Sequence, residues 1–198
     1  ALAKEAKRLR MRMIASPQTF WKESVSKTRN WPMDAWYLQD EPDVNRVSAE
    51  QLNAISQQTR QWDPSRLQTF VIGQGSAARI YGQIADILML DWYPVPHLKL
   101  DSVADQIDLA YRSLPQGKPL WAVIQAFDWS EPPDNAKIGR FPNHSEIRFM
   151  SYLAILHGAK GLFYYRLHKP KGETLFDYPE LWQAVSRVSR EISSLKPI

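Results

Sequence analysis

The sequence predicts an α/β fold built on a parallel sheet, and three observations carry that reading. Short apolar runs alternate with amphipathic segments along the chain, the pattern of strands joined by helical crossovers. The central runs are apolar on both faces, as strands covered by helices on both sides must be. Polar and aromatic residues collect just after the runs, at Asp40-Glu41-Pro42, Gln74-Gly75, Asp91-Trp92-Tyr93-Pro94, residues 125–129 and Tyr164-Tyr165-Arg166. An open doubly wound sheet uses only the strand ends near a switch point, whereas a barrel gathers all of them around one mouth. The distribution therefore selects a (β/α)8, TIM-barrel type of fold, as a single domain over residues 1–198.

The elements follow in order. Residues 1–12 carry Lys4, Lys7, Arg8, Arg10 and Arg12, read as the solvated face of a helix. Residues 10–16 form the first strand and residues 35–39, "AWYLQ", the second. A Ser48-x-x-Gln51 capping box then opens a helix with Leu52, Ile55, Thr59 and Trp62 on one stripe. Strands follow at residues 67–75 and 85–94, and a second stripe runs through Val103, Ile107, Ala110 and Leu114. Residues 119–127 are the fifth strand. Asn143 and Glu146 suggest another capping box, with Gly158 as the stop of that helix. Residues 161–166 are the sixth strand. Pro179 suits the first turn of a last helix whose apolar face is Leu181, Val185, Val188, Ile192 and Leu195.

Composition excludes several classes of function. Hydrophobic residues make up 44% of 198, enough for a sizeable core. No apolar run is long enough to cross a membrane, and Asp86 and Asp91 interrupt the longest. A net charge of +4 does not call for nucleic acid. There is no cysteine, hence no disulfide framework and no thiolate metal site. His97, His144, His157 and His168 lack metal-ligand spacing, and His157 beside Gly158 reads as a helix-end histidine. No Gly-x-Gly-x-x-Gly or phosphate loop follows any strand, so no nucleotide site is indicated, and no cofactor is implied. The chain opens without an initiator Met or a signal-peptide pattern, in what reads as the middle of a helix, which leads us to expect a piece of a larger protein.

The segments "AWYLQDEPD", "ADILMLDWYPV", "KPLWAVIQAF" and "RFPNHSEIRFMSYLAILHGAKGLFYYR" resemble successive parts of a glycoside-hydrolase (β/α)8 barrel. The similarity is to the large clan whose acid/base glutamate ends the fourth strand in an Asn-Glu-Pro or Asp-Glu-Pro motif, and it covers most of the chain from about Met11 onward. It implies a partial barrel whose six strands are the third to the eighth, with the first two supplied by another segment, another chain or self-association. It also implies an oligo- or polysaccharide substrate, and it leans towards a secreted or periplasmic setting.

On this resemblance Glu41 is the expected general acid/base, with Asp40 beside it to raise its pKa. The clan places a nucleophilic glutamate at the end of the seventh strand, where this chain has Gln125. A neutral amide cannot form a glycosyl ester, so Gln125 is expected to hold a substrate hydroxyl or a water. Asp91, ending the sixth strand, is the replacement carboxylate by topology, able to face Glu41 from another strand. Asp40 and Glu41, being adjacent, should point to opposite faces of a strand. Tyr93 resembles a tyrosine that supports the missing carboxylate. Trp92, Phe127, Trp129, Tyr164 and Tyr165 are placed to stack on sugar faces, whereas Trp36 and Trp121 belong to the core. Arg166 and Arg140 are suited to an acidic sugar or to ion pairing. Asp40, Glu41 and Asp91 are also of the right type to chelate a hard cation. Three functions follow: a glycosidic-bond hydrolase, a non-catalytic carbohydrate-binding or scaffold barrel, and a metal-assisted hydrolase.

Overall fold

The computed structural model describes residues 2–130, 138–166, 172 and 174–195, so His168 lies outside the described residues. Six strands lie in one sheet in their order along the chain: β1 (Met13–Ala15), β2 (Met33–Tyr37), β3 (Leu67–Ile72), β4 (Ile87–Asp91), β5 (Leu120–Gln125) and β6 (Gly161–Tyr165). Helix α1 (Leu2–Arg8) precedes them. From β2 onward each strand is followed by a helix: α2 (Ala49–Trp62), α3 (Ala78–Tyr81), α4 (Ser102–Tyr111), α5 (His144–Leu156) and α6 (Pro179–Ser194). Every strand falls on an apolar run of the sequence, and the fold class is α/β of the partial (β/α)8 type. Among the described residues no helix is long and apolar enough to cross a membrane.

The chain divides into two compact units. The first comprises Ala1–Met89 and Ala110–Pro119. Helix α1 buries no residue and Arg8 pairs with Glu5, as a solvated basic face should. β1 and β2 pair in parallel, with Ile14 opposite Ala35 and Ala15 opposite Trp36, and β2 continues onto β3 with Trp36 opposite Gln68. Fully buried Trp36 packs against Trp62 at 5.1 Å and Phe20 at 6.2 Å, and Trp31 stands edge-on to Phe20 at 5.0 Å. Buried Gln68 is satisfied within the unit: Ser56 Oγ donates to its Oε1 at 2.6 Å, and its Nε2 donates to Ser56 O at 3.1 Å. Both halves of the Ser48–Gln51 capping box are made at the start of α2. Leu52 and Thr59 are buried on its inner stripe, and Ile55 and Trp62 half-buried.

The second unit comprises Leu90–Leu109 and Leu120–Ile198. β5 and β6 pair in parallel from Trp121 opposite Gly161 to Gln125 opposite Tyr165. Trp121 is half-buried against the Phe163 ring at 5.4 Å, less enclosed than a core tryptophan. A Cβ on Gly161 would lie 2.7 Å from Trp121 Cδ1, so the indole needs glycine there. Asn143 and Glu146 make the second capping box, and Gly158 ends α5 at φ 98°, a conformation open to glycine. α6 opens on Pro179 and buries Leu181, Ala184, Val185 and Val188 against Ile147, Ala126 and Leu175. The helix stops at Ser194, so Leu195, expected on that stripe, is an exposed C-cap in extended conformation. On the outside, Glu191 of α6 accepts from Arg148 and from Tyr152 of α5. Those bonds, Arg148 first, hold its carboxyl down to about 2. The Val95–Pro96 and Tyr165–Arg166 peptides are cis.

Candidate functional site

In the first unit, the acidic residues after β2 sit in a tight turn past the strand. Glu41 has φ 37°, a left-handed conformation that a side-chain-bearing residue adopts only when the surroundings impose it. The turn does so: Val44 N and Asn45 N both donate to Glu41 O, at 3.1 and 2.8 Å, and Val47 N donates to Pro42 O at 2.9 Å. Asn45 Nδ2 donates to Asp40 O at 3.0 Å. The strand alternation expected for Asp40 and Glu41 therefore does not apply. Asp40 is exposed, and its Oδ1 accepts from Tyr37 Oη at 2.6 Å; Glu41 is half-buried.

A residue that sequence reasoning passed over joins this turn to the next strand end. Asp43 accepts from Gly73 N at 3.1 Å through one carboxylate oxygen and from Gln74 N at 3.0 Å through the other. Its signal was present as an acid just after Asp-Glu-Pro and a Gly-Gln-Gly after β3, but nothing local connects the two.

In the second unit, Asp91 is the last residue of β4 and is 8% exposed. Trp92 Nε1 donates to Ser102 Oγ at 2.9 Å, fixing the indole edge against the start of α4. Four rings then form a box. Tyr93 meets Phe127 edge-on at 5.0 Å, Trp129 at 6.2 Å, and Tyr165 in a stack at 5.8 Å. Phe127 lies 5.0 Å from Trp129 and 5.6 Å from Tyr165. Tyr165 keeps 42% of its surface exposed, and the Arg166 guanidinium stands over it at 5.6 Å. Of the rings expected after β4, β5 and β6, Phe127, Trp129 and Tyr165 are thus brought together around Tyr93, whereas Trp92 is held at Ser102 and Tyr164 is placed elsewhere. That residue turns inward to Ser151 at 3.1 Å, and burial pushes its hydroxyl pKa up. Phe127 is buried within the box and Tyr93 and Trp129 are half-buried, so Tyr165 is the ring with surface open to a ligand.

Gln125 ends β5. It is fully buried, and its amide serves the backbone: Oε1 accepts from Val95 N at 2.9 Å, while Nε2 donates to Val95 O at 2.8 Å and to Phe127 O at 3.2 Å. A carboxylate cannot donate, so it would strand two carbonyls in a dry environment. That clamp by itself accounts for the residue type. Arg140 forms a bidentate pair with Glu146, at 2.7 and 2.6 Å, which lowers the Glu146 pKa; this is the ion-pairing option for that arginine. His157 caps α5 and places Nδ1 2.8 Å from Asp108 Oδ1. Among the described residues no group of three His, Asp or Glu side chains is placed to hold a metal ion.

No family model matches the sequence, and no curated protein matches it. Solved structures do. A provisional beta-galactosidase from Bacteroides fragilis superposes with a TM-score of 0.64 at 14% identity, over 84% of this chain and 29% of that one. A glycoside hydrolase family 17 beta-1,3-glucanosyltransferase from Rhizomucor miehei gives 0.61 at 12% identity, over 88% and 73%. A beta-glucuronidase from an uncultured Clostridium gives 0.55 at 13%, over 86% and 35%. The likeness is one of fold. These neighbours are glycoside hydrolases on TIM-barrel folds, and this chain spans 29% of the Bacteroides chain's length.

Proposed function

We propose that this chain is part of a carbohydrate-active hydrolase that cleaves glycosidic bonds, with Glu41 as general acid/base. The observation that carries the reading is Glu41 itself: a half-buried carboxyl held in a left-handed turn just past a strand end of a barrel-type sheet, where the active sites of such folds lie. In this reading protonated Glu41 gives its proton to the glycosidic oxygen as the C–O bond breaks. Asp91 is the second carboxylate and takes a proton from the attacking water, leaving both groups to exchange protons with solvent before the next turnover. Gln125 lies outside the chemistry. Tyr93, Trp92, Phe127, Trp129, Tyr165 and Arg166 bind the sugar, with the exposed face of Tyr165 as the platform. The fold neighbours are named for beta-linked galactose, glucuronic acid and glucan chemistry, so beta-linked oligosaccharides are the first substrates to try.

The experiment is release of reducing ends from a panel of beta-linked oligo- and polysaccharides. Glu41→Gln is expected to keep the fold and lower turnover by about 10²–10⁴. Activity of Glu41→Gln within error of the parent protein removes the assignment. The product anomer then separates an inverting reaction from a retaining one.

A second reading has an observation of its own. Gln125, which the resemblance sets where the clan carries its nucleophile, is committed to the backbone, as in a barrel that keeps its fold and binds sugar without cleaving it. Calorimetric binding that Tyr165→Ala abolishes, with no cleavage of any substrate, would select it. We further propose that β1 and β6, the end strands of the sheet order, are covered in the working protein by another segment, another chain or self-association. The half-burial of β6 along Gly161–Tyr164 supports this.

A further inference from the structure

We infer that Gly73 and Asp43 are positioning residues that set the carboxyl of Glu41; this rests on the reading of Glu41 as the proton donor. Three observations within the first unit converge. Gly73 directly follows β3, and a Cβ built on it would lie 2.9 Å from Glu41 Oε1 and 2.8 Å from Val44 Cγ2. The Glu41 carboxyl therefore rests against bare backbone, in a place any side chain would occupy. The Gly73 and Gln74 amides that form that surface are held by Asp43, whose two carboxylate oxygens take one N–H each. Glu41 and Asp43 belong to one turn, whose left-handed residue is Glu41 itself.

The arrangement is a closed loop of constraints. The turn fixes Glu41 and aims Asp43 at the β3 exit, Asp43 fixes the β3 exit, and the β3 exit supplies the surface against which the Glu41 carboxyl packs. Glycine at 73 is needed for contact rather than for conformation, since its φ lies outside the left-handed range. A methyl group there must displace both the carboxyl of Glu41 and the side chain of Val44. Val44 is exposed and can yield without disturbing a core, but Glu41 Oε1 lies against the same position and must move as well. A proton donor displaced by part of an ångström loses much of its effect, because the donor must lie within hydrogen-bond reach of the leaving oxygen.

The test uses Glu41 as its own reporter. Protein labelled with 13C at the glutamate carboxyls gives a Glu41 resonance identified by its loss in Glu41→Gln, and its pH titration is followed in the parent protein, Gly73→Ala and Asp43→Asn. Gly82→Ala is the comparator: its Cβ would meet Ala78 O at 2.4 Å and Leu114 Cδ2 at 2.8 Å, a crowding as severe but outside the Glu41 turn. We expect Gly73→Ala and Asp43→Asn to move the Glu41 resonance and its titration midpoint, and Gly82→Ala to move neither. On a cleaved substrate, Gly73→Ala is expected to lower kcat by about 10²-fold, with KM changed by less than about threefold. An unmoved Glu41 titration in folded Gly73→Ala overturns the inference. If that variant does not fold, an unmoved titration in Asp43→Asn overturns it equally. A parent protein that cleaves no glycoside sinks the proposed function, while the carboxyl titrations still decide whether Gly73 and Asp43 position Glu41.

Discussion

At Asp63 four donors converge on one carboxylate. Trp36 Nε1 donates at 3.0 Å, Ser65 Oγ at 2.6 Å, Ser65 N at 3.1 Å, and Arg66 pairs through its guanidinium. The Asp63 and Arg66 side chains are 2% and 11% exposed. Burial alone pushes the Asp63 carboxyl up, but the bonds from Ser65, Trp36 and Arg66 together outweigh it and hold the pKa below the usual range. Removing the carboxylate strands a buried guanidinium and an indole N–H, so Asp63→Ala should destabilise the protein by about 3–5 kcal/mol in urea unfolding. The sign of the pH dependence follows from the lowered folded pKa. The stabilisation is fully present above the unfolded value of about 3.9 and is lost as pH falls through the folded value. The stability gap between the parent protein and Asp63→Asn should therefore hold from neutral pH to about pH 4 and shrink below it. A gap that stays flat through the acid range would show that the carboxylate charge is not what Asp63 contributes.

Helix termini make the same kind of argument at the scale of an element. α2 and α5 each begin with a reciprocal capping box, Ser48 with Gln51 and Asn143 with Glu146. Each box satisfies two of the N–H groups a helix start leaves over. Ser48→Ala and Asn143→Ala should each cost about 1 kcal/mol in denaturant unfolding. Glu146 also carries the Arg140 pair, so Glu146→Ala should exceed Asn143→Ala, and the reverse order would mean that the pair contributes nothing. These boxes were legible in the sequence because their partners lie three residues apart. β3, β4 and β5 were legible because strands buried on both faces leave continuous apolar runs, and β1, β2 and β6, though partly exposed, still fall on shorter apolar runs. The site was legible only in part. That Glu41 follows a strand could be read, but not that it lies in a left-handed turn, since Pro42 and Asp43 give no unique signal for one. The Asp43 clamp on Gly73 spans 30 residues and the Gln125 clamp on Val95 another 30, and no local pattern announces a side chain committed to a distant backbone. Sequence reasoning therefore assigned Gln125 to a substrate hydroxyl or a water and had no sign of the backbone clamp that its amide makes.

For the molecule as a whole, the question is what lies beside the end strands of the sheet. A closed barrel has no edges, whereas a row of strands that ends leaves backbone donors and acceptors on its outer sides. β6 is half-buried along Gly161–Tyr164, unlike β4, which is buried throughout. Natural proteins protect such edges with charge, proline or cover; β6 has neither charge nor proline. We therefore expect the isolated 198-residue chain to self-associate and to exchange its β6 amides far faster than those of β4. A segment or chain that covers β6, if added, should make the protein monomeric or stoichiometric and bring β6 protection up to that of β4. Sedimentation velocity with site-resolved hydrogen exchange measures both. A monomeric chain that unfolds cooperatively, with β6 amides already as protected as those of β4, would mean that the edge needs no partner and that the proposed cover does not exist.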